Sequence, residues 1–183
     1  MAIANNIGHI PNNPTLPMLL YPSAIDLSTN PSDPAALFEH LFTQNGWTGG
    51  CWRNGIYPFP HYHSTAHEVL GIAAGHAEVR LGGQTGQVFT FKAGDVALLP
   101  AGCGHQNLSA SSDLLVVGAY PPGPDWDLCR GEARERLSAI ENIAHVPLPT
   151  TDPVGGIQGP VIKYWLNKDE KQIISNSIRF IFL

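Results

Sequence analysis

The chain has 183 residues, of which 43 % are hydrophobic and 14 % are charged, and its formal net charge at pH 7 is −5. This composition excludes an intrinsically disordered protein, and an acidic chain without a basic cluster argues against a nucleic-acid partner. No apolar run approaches the ~18 residues of a membrane span and no secretory signal is visible, so we expect a cytoplasmic protein without a membrane partner. Three cysteines without C-x-x-C spacing predict free thiols in a reducing compartment.

The first elements predicted along the chain are a strand and a helix. Residues 15–20 form a candidate strand that begins at a sheet edge, where Pro17 is tolerated. Asp33-Pro34 is typical of a helix start, apolar residues recur at helical spacing over 35–42, and Asn45-Gly46 ends the helix. We expect the helix to pack on the outside of the core through four apolar side chains on one face: Leu37, Phe38, Leu41 and Phe42.

A pair of histidines follows the helix. In an extended strand, positions two apart share a face, so His61 and His63 project the same way and Tyr62 projects the opposite way. Two imidazoles on one face are a common way to hold a divalent metal. The same alternation, extended backwards, turns Tyr57 and Phe59 inward, where they line a pocket. For Phe59 the alternative is a place in the apolar core.

A third ligand comes from the strand predicted after the turn at 64–66, which runs through the apolar stretch 69–72. His67 and Glu68 are neighbours there, so alternation lets only one of them reach the histidine pair. We favour Glu68. His67 is then an alternative ligand, if a bulge shifts the register, or else a histidine behind the ligands or on the surface.

The next part of the chain predicts more β-structure. Strands over 77–81 and 87–91 flank a Gly-rich hairpin loop, 96–99 is a short buried strand, and a turn follows at 100–102. His105 then opens a further strand and supplies the last candidate ligand. Three nitrogens and one carboxylate oxygen suit Mn²⁺, Fe²⁺, Co²⁺, Ni²⁺ or Zn²⁺ better than Mg²⁺ or Ca²⁺.

Two residues beside His105 are candidates for the pocket. Cys103 lies two residues before His105, so it either shares the face of His105 near the pocket or fills the small space between Gly102 and Gly104. Asn107 lies two residues after His105 and is the other candidate.

The C-terminal third predicts a strand, a helix and an arm. Residues 114–120 form an apolar strand, and 127–143 form a helix candidate that Gly131 weakens. Residues 161–166 are either a last strand or a packing arm. The apolar C-terminus, 172–183, would be an aggregation hazard if exposed, so it docks on this chain or on a partner. No function is assigned to it.

Two motifs in this chain resemble those of the cupin superfamily, the germin-like double-stranded barrels. The first has glycine, His-x-His, glutamate and glycine at the family's gaps, here Gly55, His61, His63, Glu68 and Gly75. The second has glycine, Pro-x-Gly and histidine at the family's gaps, here Gly94, Pro100, Gly102 and His105. Its final asparagine is displaced, because Ser109 stands at that position and Asn107 lies two residues earlier. The stretches 61–68 and 118–127 also resemble the YjlB-like branch of small cupins.

The resemblance implies an all-β fold, the cupin double-stranded β-helix (jelly-roll barrel), with one or two peripheral helices. It implies a single domain over 1–183, with the barrel core at about 47–121, an N-terminal strand and helix arm at 1–46, and a C-terminal helix and arm at 122–183. Members often dimerise by exchanging or pairing outer strands, so we expect a homodimer, with the strand near Leu16 as a candidate.

The resemblance also implies a metal and a class of function. One divalent transition metal (Fe, Mn, Ni, Co or Zn) is expected on four ligands: His61, His63, Glu68 and His105. A metal-dependent enzyme of the dioxygenase, decarboxylase or isomerase type would act on a small molecule, and the fold alone does not choose among these reactions. No catalytic residue other than the ligands is evident. The alternative is a non-catalytic binding module for a small metabolite or metal.

Overall fold

The computed structural model of the chain describes residues 10–29, 31–167 and 179–181. The described residues contain nine strands, two α-helices and one π-helical turn, Ile162–Leu166. The helices are α1 (Pro34–Gln44) and α2 (Arg136–His145). The strands are β1 (Met18–Tyr21), β2 (Cys51–Asn54), β3 (Glu68–Ala74), β4 (His76–Leu81), β5 (Gln87–Lys92), β6 (Val96–Leu99), β7 (His105–Ala110), β8 (Leu115–Ala119) and β9 (Arg179–Ile181).

The strands form two antiparallel sheets. The larger sheet has the order β2-β8-β3-β6-β1-β9 and the smaller one has the order β5-β4-β7. One core cluster joins inward side chains of the two sheets, among them Leu70 and Ile72 of β3 and Val79 and Leu81 of β4. The prediction of an all-β jelly roll with peripheral helices is therefore confirmed, although hydrogen bonds between the described strands do not close the two sheets into a barrel.

The outer face of the larger sheet is covered as well. A second core cluster packs alternate residues of β1, β3, β6 and β8 against α1, Trp47 and Trp165. Strands buried on both faces need apolar residues at every position rather than at every second one. This explains the continuous apolar stretches in β1 and β6, whose residues are all buried.

Helix α1 begins and ends as predicted. The Asp33 carboxylate accepts a hydrogen bond from the Ala36 amide at 3.2 Å, Pro34 occupies the first turn, and Asn45 is the C-cap residue. The buried face is Ala35, Phe38 and Phe42. Leu37 is 39 % exposed, so its place on the predicted face is wrong.

A glycine lets α1 approach the sheet closely. A Cβ atom on Gly71 of β3 would lie 2.2 Å from Cδ1 of Phe38, a distance that no side chain tolerates. The phenyl ring of Phe38 therefore packs directly on the backbone of β3.

The first strand is internal to the larger sheet. β1 pairs with β6 on one side and with β9 on the other, and Pro17 precedes it. The predicted edge position is therefore wrong, because Arg179–Ile181 occupies the second side. Both sides of β1 are paired within the chain, which leaves no free edge there for pairing with a second copy. Of the predicted C-terminal stretch, residues 172–178 and 182–183 lie outside the described residues.

Helix α2 is shorter than predicted. It begins at Arg136, because the Glu135 carboxylate accepts hydrogen bonds from the amides of Arg130, Gly131 and Glu132 and so holds that segment in a turn. Gly131 takes a φ of +79°, outside the helical region.

The last predicted strand is wrong, because the chain is helical from Ile162 to Leu166. Trp165 in this turn is buried, and its indole N–H donates to the Pro17 carbonyl at 3.0 Å. The alternative that the segment is a packing arm agrees with this contact.

A buried aspartate ties the preceding segment to β1. Asp152 is 0 % exposed, and Oδ2 accepts from the Tyr21 hydroxyl at 2.6 Å and from the Val161 amide at 3.0 Å. Oδ1 accepts from the amides of Val154 and Gly155, each at 2.8 Å. Both carboxylate oxygens are therefore fully hydrogen-bonded, and the buried charge is compensated.

Two further expectations concern the chain as a whole. The three cysteines are free: Cys51 is exposed, while Cys103 and Cys129 are buried. Among the described residues, no helix is both long and apolar enough to cross a membrane.

Candidate metal centre

A short extended segment presents the histidine pair. The His61 amide donates to the His105 carbonyl at 3.1 Å, and the His105 amide donates back to the His61 carbonyl at 2.9 Å. Tyr62 forms a bridge with Cys129 and is buried among other side chains. His61 and His63 face one way although the segment is not a long strand, because two residues of extended backbone suffice for the alternation.

The predicted ligands converge at one point. His61, His63 and His105 are all buried, and one ring nitrogen of each lies within 4.8 Å of the others, so they could hold a metal ion. Glu68 at the start of β3 reaches the same place. Its Oε2 lies 3.4 Å from Nε2 of His63 and 3.3 Å from Nε2 of His105.

Backbone carbonyls orient the three histidine rings. Nδ1 of His61 lies 3.1 Å from the Phe59 carbonyl oxygen, and Nδ1 of His105 lies 3.1 Å from that of Cys103. Nδ1 of His63 contacts the Asp127 carbonyl oxygen. A carbonyl only accepts hydrogen bonds, so each Nδ1 carries a proton and each Nε2 is the atom left to bind a metal.

Glu68 is a buried carboxylate with one unsatisfied oxygen. Its side chain is 3 % exposed, and the Tyr120 hydroxyl donates to Oε1 at 2.5 Å. Oε2 has no hydrogen bond although it is buried. A buried acceptor left without a donor costs free energy, and such a group in a native fold indicates a partner such as an ion.

The pKa values of the cluster reflect burial and mutual charge. Burial, together with the neighbouring His105, lowers the pKa of His61 to about 3. Burial also opposes the charged forms of His63 and Glu68. Their attraction for each other outweighs it, so the pKa of His63 is raised and that of Glu68 lies well below its usual range. The site therefore holds a carboxylate anion against imidazole nitrogens, which suits a cation at their centre.

The cluster lies at the end of a cavity of about 230 Å³. Aromatic and aliphatic side chains share the lining with the three histidines, Glu68, Arg53 and Asn54. The lining residues are Trp52, Arg53, Asn54, Gly55, Ile56, Tyr57, His61, His63, Glu68, Leu70, His105, Tyr120 and Trp126.

The structure separates the two aromatic pocket candidates. Tyr57 lines the cavity and is 44 % exposed. Phe59 is half-buried outside the cavity lining, stacked on Tyr57 at 4.8 Å between centroids, with the Arg130 guanidinium 4.0 Å above its ring. Both predictions for Phe59 are wrong, because the chain bends between Pro58 and Phe59 and the strand alternation does not extend across that bend.

The other two pocket candidates lie outside the cavity lining. Cys103 is buried in the core, with Sγ 3.0 Å from Sδ of Met18, a position that agrees with the small-filler alternative. The backbone amide of Asn107 donates to the Tyr57 carbonyl at 2.9 Å, and Asn107 pairs with Val79 in the smaller sheet. Its carbonyl oxygen Oδ1 is buried without a hydrogen bond.

His67 lies away from the metal cluster. Its Nδ1 accepts a hydrogen bond from the Ala101 amide at 2.9 Å, and its ring packs on Trp165 with centroids 4.8 Å apart. The residue is buried, so the surface alternative is wrong, and burial lowers its pKa to about 3. It contacts the second core and not the histidine cluster.

Sequence patterns do not predict the roles of Tyr120, Trp126 and Asp127. Tyr120 binds Glu68, and Trp126 contacts the ring of His63 edge-on at 5.4 Å between centroids. The Asp127 carboxylate accepts from the Ser64 amide and hydroxyl, each at 2.5 Å. Two aromatic residues and an aspartate next to a proline-rich loop are a signal for a binding loop, but their partners lie more than fifty positions away in sequence.

Comparisons with known proteins were made by sequence and by structure. No family model matches the chain. The chain is 37 % identical over 159 residues to the uncharacterized protein YjlB of Bacillus subtilis (strain 168), a match that covers 87 % of this chain and 92 % of YjlB.

Solved structures resemble parts of the chain more distantly. The chain is similar to acireductone dioxygenase from Bacillus anthracis, with a TM-score of 0.36 and 16 % identity over 50 % of this chain and 61 % of that one. It is also similar to oxalate decarboxylase from Lactobacillus farciminis, with a TM-score of 0.32 and 22 % identity over 54 % of this chain and 31 % of that one. The chain thus spans less than two thirds of either protein.

The match to YjlB extends over nearly the whole length of both chains. The predicted resemblance to the YjlB-like branch is thereby confirmed: this chain belongs to the family of YjlB.

Proposed function

We propose that this protein binds one divalent transition metal ion through His61, His63, His105 and Glu68. The observation that carries the proposal is the buried Oε2 of Glu68, which lacks a hydrogen bond and lies among the three imidazoles. The backbone contacts at the three Nδ1 atoms support it, because they leave each Nε2 free for a metal. Three nitrogens and a carboxylate fit Fe, Mn, Ni, Co or Zn.

We infer further that the protein is an enzyme of the dioxygenase, decarboxylase or isomerase type acting on a small molecule. A bound ion would supply Lewis acidity and, if it is iron or manganese, redox chemistry. The cavity lining contains no lysine and no carboxylate other than Glu68, so side chains offer little independent acid–base chemistry. The reaction must therefore draw on the ion.

The chain's own residues would keep the ion in place and keep water away. The Tyr120 hydroxyl donates to Oε1 of Glu68 and holds the carboxylate in one orientation. Burial and the Glu68 charge raise the pKa of Tyr120, so this hydroxyl stays protonated and remains a donor. The indole of Trp126 and the side chains of Ile56 and Leu70 make the walls apolar.

A non-catalytic binding module is the second candidate. The same scarcity of acid–base groups in the lining favours it, because a site that only captures a metabolite or metal needs none. Ligand-induced thermal stabilisation of the metal-loaded protein without product formation would select this function over an enzyme.

Elemental analysis of the purified protein, prepared without a histidine-rich tag, tests the metal proposal. We expect about one transition metal per chain. His61→Ala or His105→Ala should abolish the stoichiometric metal, while His67→Ala and the exposed His40→Ala should keep it. A metal content far below one per chain, with no uptake on reconstitution, would overturn the proposal, as would loss of metal in His67→Ala without loss in Glu68→Ala.

Activity has a separate test. We expect the protein reconstituted anaerobically with Fe²⁺ to consume O₂ when candidate substrates are added. No uptake and no product with any loaded metal would leave the binding module as the function.

Three wider expectations stay proposals: a single domain over 1–183, a cytoplasmic location and a homodimer. The dimer needs a surface other than an edge of β1, since both sides of that strand are paired within the chain. Sedimentation equilibrium would measure the molecular mass in solution.

A further inference from the structure

We propose that the aromatic walls of the cavity select a flat ligand about one ring in size with a single ionised group at the histidine end, and that Trp126 determines this specificity. The inference rests on the proposed metal function, because it assigns a ligand class to the same site. Three independent features of the cavity carry it: the chemistry of its walls, its volume and its charges.

The walls are chiefly aromatic. Trp52, Tyr57, Tyr120 and Trp126 all line the cavity. Trp126 is 46 % exposed, so part of its indole surface is open to a ligand, whereas Tyr120 is buried and hydrogen-bonded to Glu68. Aromatic faces bind other flat π-systems more favourably than aliphatic chains of equal area.

The volume limits the ligand to about one ring. A cavity of roughly 150 Å³ holds a benzene molecule. The cavity here is about 230 Å³, which leaves space for a few substituent atoms beyond one six-membered ring. A fused polycyclic ligand would have to extend out of the mouth.

The charged groups that line the cavity allow one anionic group on the ligand, at the histidine end. Arg53 is the only arginine or lysine among the lining residues, and its guanidinium is already bound to two carboxylates. It contacts Glu39 at 2.6 Å through Nε and through Nη2, and Nη1 lies 3.0 Å from both oxygens of Asp33. A carboxylate on the far side of a ligand would therefore be desolvated without a free counter-charge. At the histidine end, a divalent ion and the Glu68 carboxylate leave one net positive charge, which matches a single ionised oxygen.

Hydrogen bonds on both sides of Trp126 hold its indole in place. The Thr65 hydroxyl donates to the Asp125 carbonyl at 2.8 Å and accepts from the Asp127 amide at 3.0 Å. The indole ring stacks on Tyr120, with centroids 5.8 Å apart and planes inclined by 14°. A ring held in advance of binding loses little freedom when a ligand arrives, so it discriminates by shape. Flat single-ring compounds with one ionised oxygen combine these requirements.

The test uses the full-length protein loaded with Zn²⁺, which is redox-silent, and 4-nitrocatechol, whose visible absorbance reports binding. We expect Trp126→Ala to lower the affinity for 4-nitrocatechol by at least about tenfold. Trp126→Phe should lower it by no more than about threefold. Binding of lactate, an aliphatic anion with two adjacent oxygens, should change less than about twofold in both variants. Intrinsic tryptophan fluorescence supplies a second readout of ligand binding.

A matched pair of ligands tests the charge argument. 3,4-Dihydroxybenzoate carries a carboxylate far from its catechol oxygens, and its methyl ester does not. We expect the ester to bind at least about tenfold more tightly, because the carboxylate finds no free cation. Equal affinities would overturn this part of the proposal.

The outcomes separate the two proposals. If the wild-type protein takes up no Zn²⁺, the proposed metal function itself fails. Two results with one Zn²⁺ bound in every variant would overturn the specificity proposal and leave the metal proposal standing. In the first, Trp126→Ala binds 4-nitrocatechol with the wild-type affinity. In the second, Trp126→Ala loses as much affinity for lactate as for 4-nitrocatechol.

Discussion

Two of the carboxylates buried in the described part of the chain, those of Asp152 and Glu68, each accept a hydrogen bond from a tyrosine. Asp152 has both oxygens fully bonded, to the Tyr21 hydroxyl and to three amides. Glu68 has one oxygen bonded to the Tyr120 hydroxyl and the other without a hydrogen bond. A carboxylate with hydrogen bonds to both oxygens stabilises the fold. A carboxylate with one unbonded oxygen can still bind a ligand such as a cation.

The difference follows from what surrounds each carboxylate. Backbone amides of the segment that carries Asp152 turn towards it, so the folding of that segment completes its hydrogen bonds. Glu68 faces imidazole nitrogens whose other ring nitrogen is already committed to a carbonyl. Burial alone therefore does not identify a functional charge, but a buried charge with an unused oxygen does.

The largest effect on stability should come from Asp152→Ala. The substitution leaves three backbone amides and the buried Tyr21 hydroxyl without their acceptor, and we expect the free energy of unfolding to fall by about 4 kcal/mol. For a domain of this size the melting temperature should fall by roughly 8–16 °C. Thermal and urea unfolding measure it. Asp26→Ala is the control, because Asp26 is exposed and accepts from the nearby Ser28 amide; an equal loss there would remove the contrast.

Glu68→Gln should affect metal affinity more than stability, the opposite of Asp152→Ala. The amide keeps the size of the side chain but removes its charge, so we expect metal affinity to fall by more than about 100-fold, beyond the ~10–100-fold typical of residues behind the ligands. The free energy of unfolding of the metal-free protein should fall by less than the ~4 kcal/mol expected for Asp152→Ala, because the amide oxygen can still accept from the Tyr120 hydroxyl. Competition with a chelator measures the affinity. Asp152→Asn is the matched variant and should keep the metal; loss of metal in both would contradict the division of roles.

The pH dependence of stability tests a third buried group, the His67 imidazole, which has no charged partner. Burial lowers the pKa of His67 to about 3, far below its usual value. Between that pH and about 6.5 the unfolded chain binds a proton that the folded chain refuses, so stability falls as the pH falls, by about 1.4 kcal/mol per pH unit for one such group.

Removal of that group should flatten the slope. We expect metal-free His67→Gln to lose about 1 kcal/mol per pH unit less than the wild type between pH 6.5 and 5. Urea unfolding at several pH values gives the slopes, with the exposed His40→Gln as control. Identical slopes for wild type and His67→Gln would show that His67 is not held neutral by burial.

The smallest effect should come from Tyr120→Phe. The change removes only the hydroxyl that orients Glu68, so we expect metal affinity to fall about tenfold while one ion per chain is still bound at saturation. Tyr57→Phe is the control, because Tyr57 lines the same cavity and its ring stacks on Phe59. A tenfold loss in the control would mean that hydroxyl groups in this cavity act on the ion without specificity for Glu68.

Much of the fold was predictable because the signals for its strands and for α1 lie in residues that are close together in sequence. Apolar runs bounded by glycine and proline predicted most strands, and a capping aspartate with a proline predicted the start of α1. The four ligand positions followed from alternation and from motif spacing, and the structure brings those four side chains together. Each of these inferences needed only residues close together in sequence.

The failures arose where a distant or unusual contact decided the structure. The Glu135 carboxylate gathers three amides and delays α2, which helical periodicity cannot reveal. Phe59 was misplaced because alternation was extended across a bend. Tyr120 bonds to Glu68 across 52 positions, and the sequence offers no local pattern for that pairing.

The orientation of the three histidines depends on the backbone and not on neighbouring side chains. The acceptors are the main-chain carbonyls of Phe59, Cys103 and Asp127, and every amino acid supplies such a carbonyl. The side chains at these positions can therefore change during evolution while the three Nε2 atoms keep their direction. Trp126 and Tyr57 can diverge too, because they line the cavity without supplying that orientation. A lineage with this backbone can vary the cavity lining one substitution at a time without disturbing the histidine cluster.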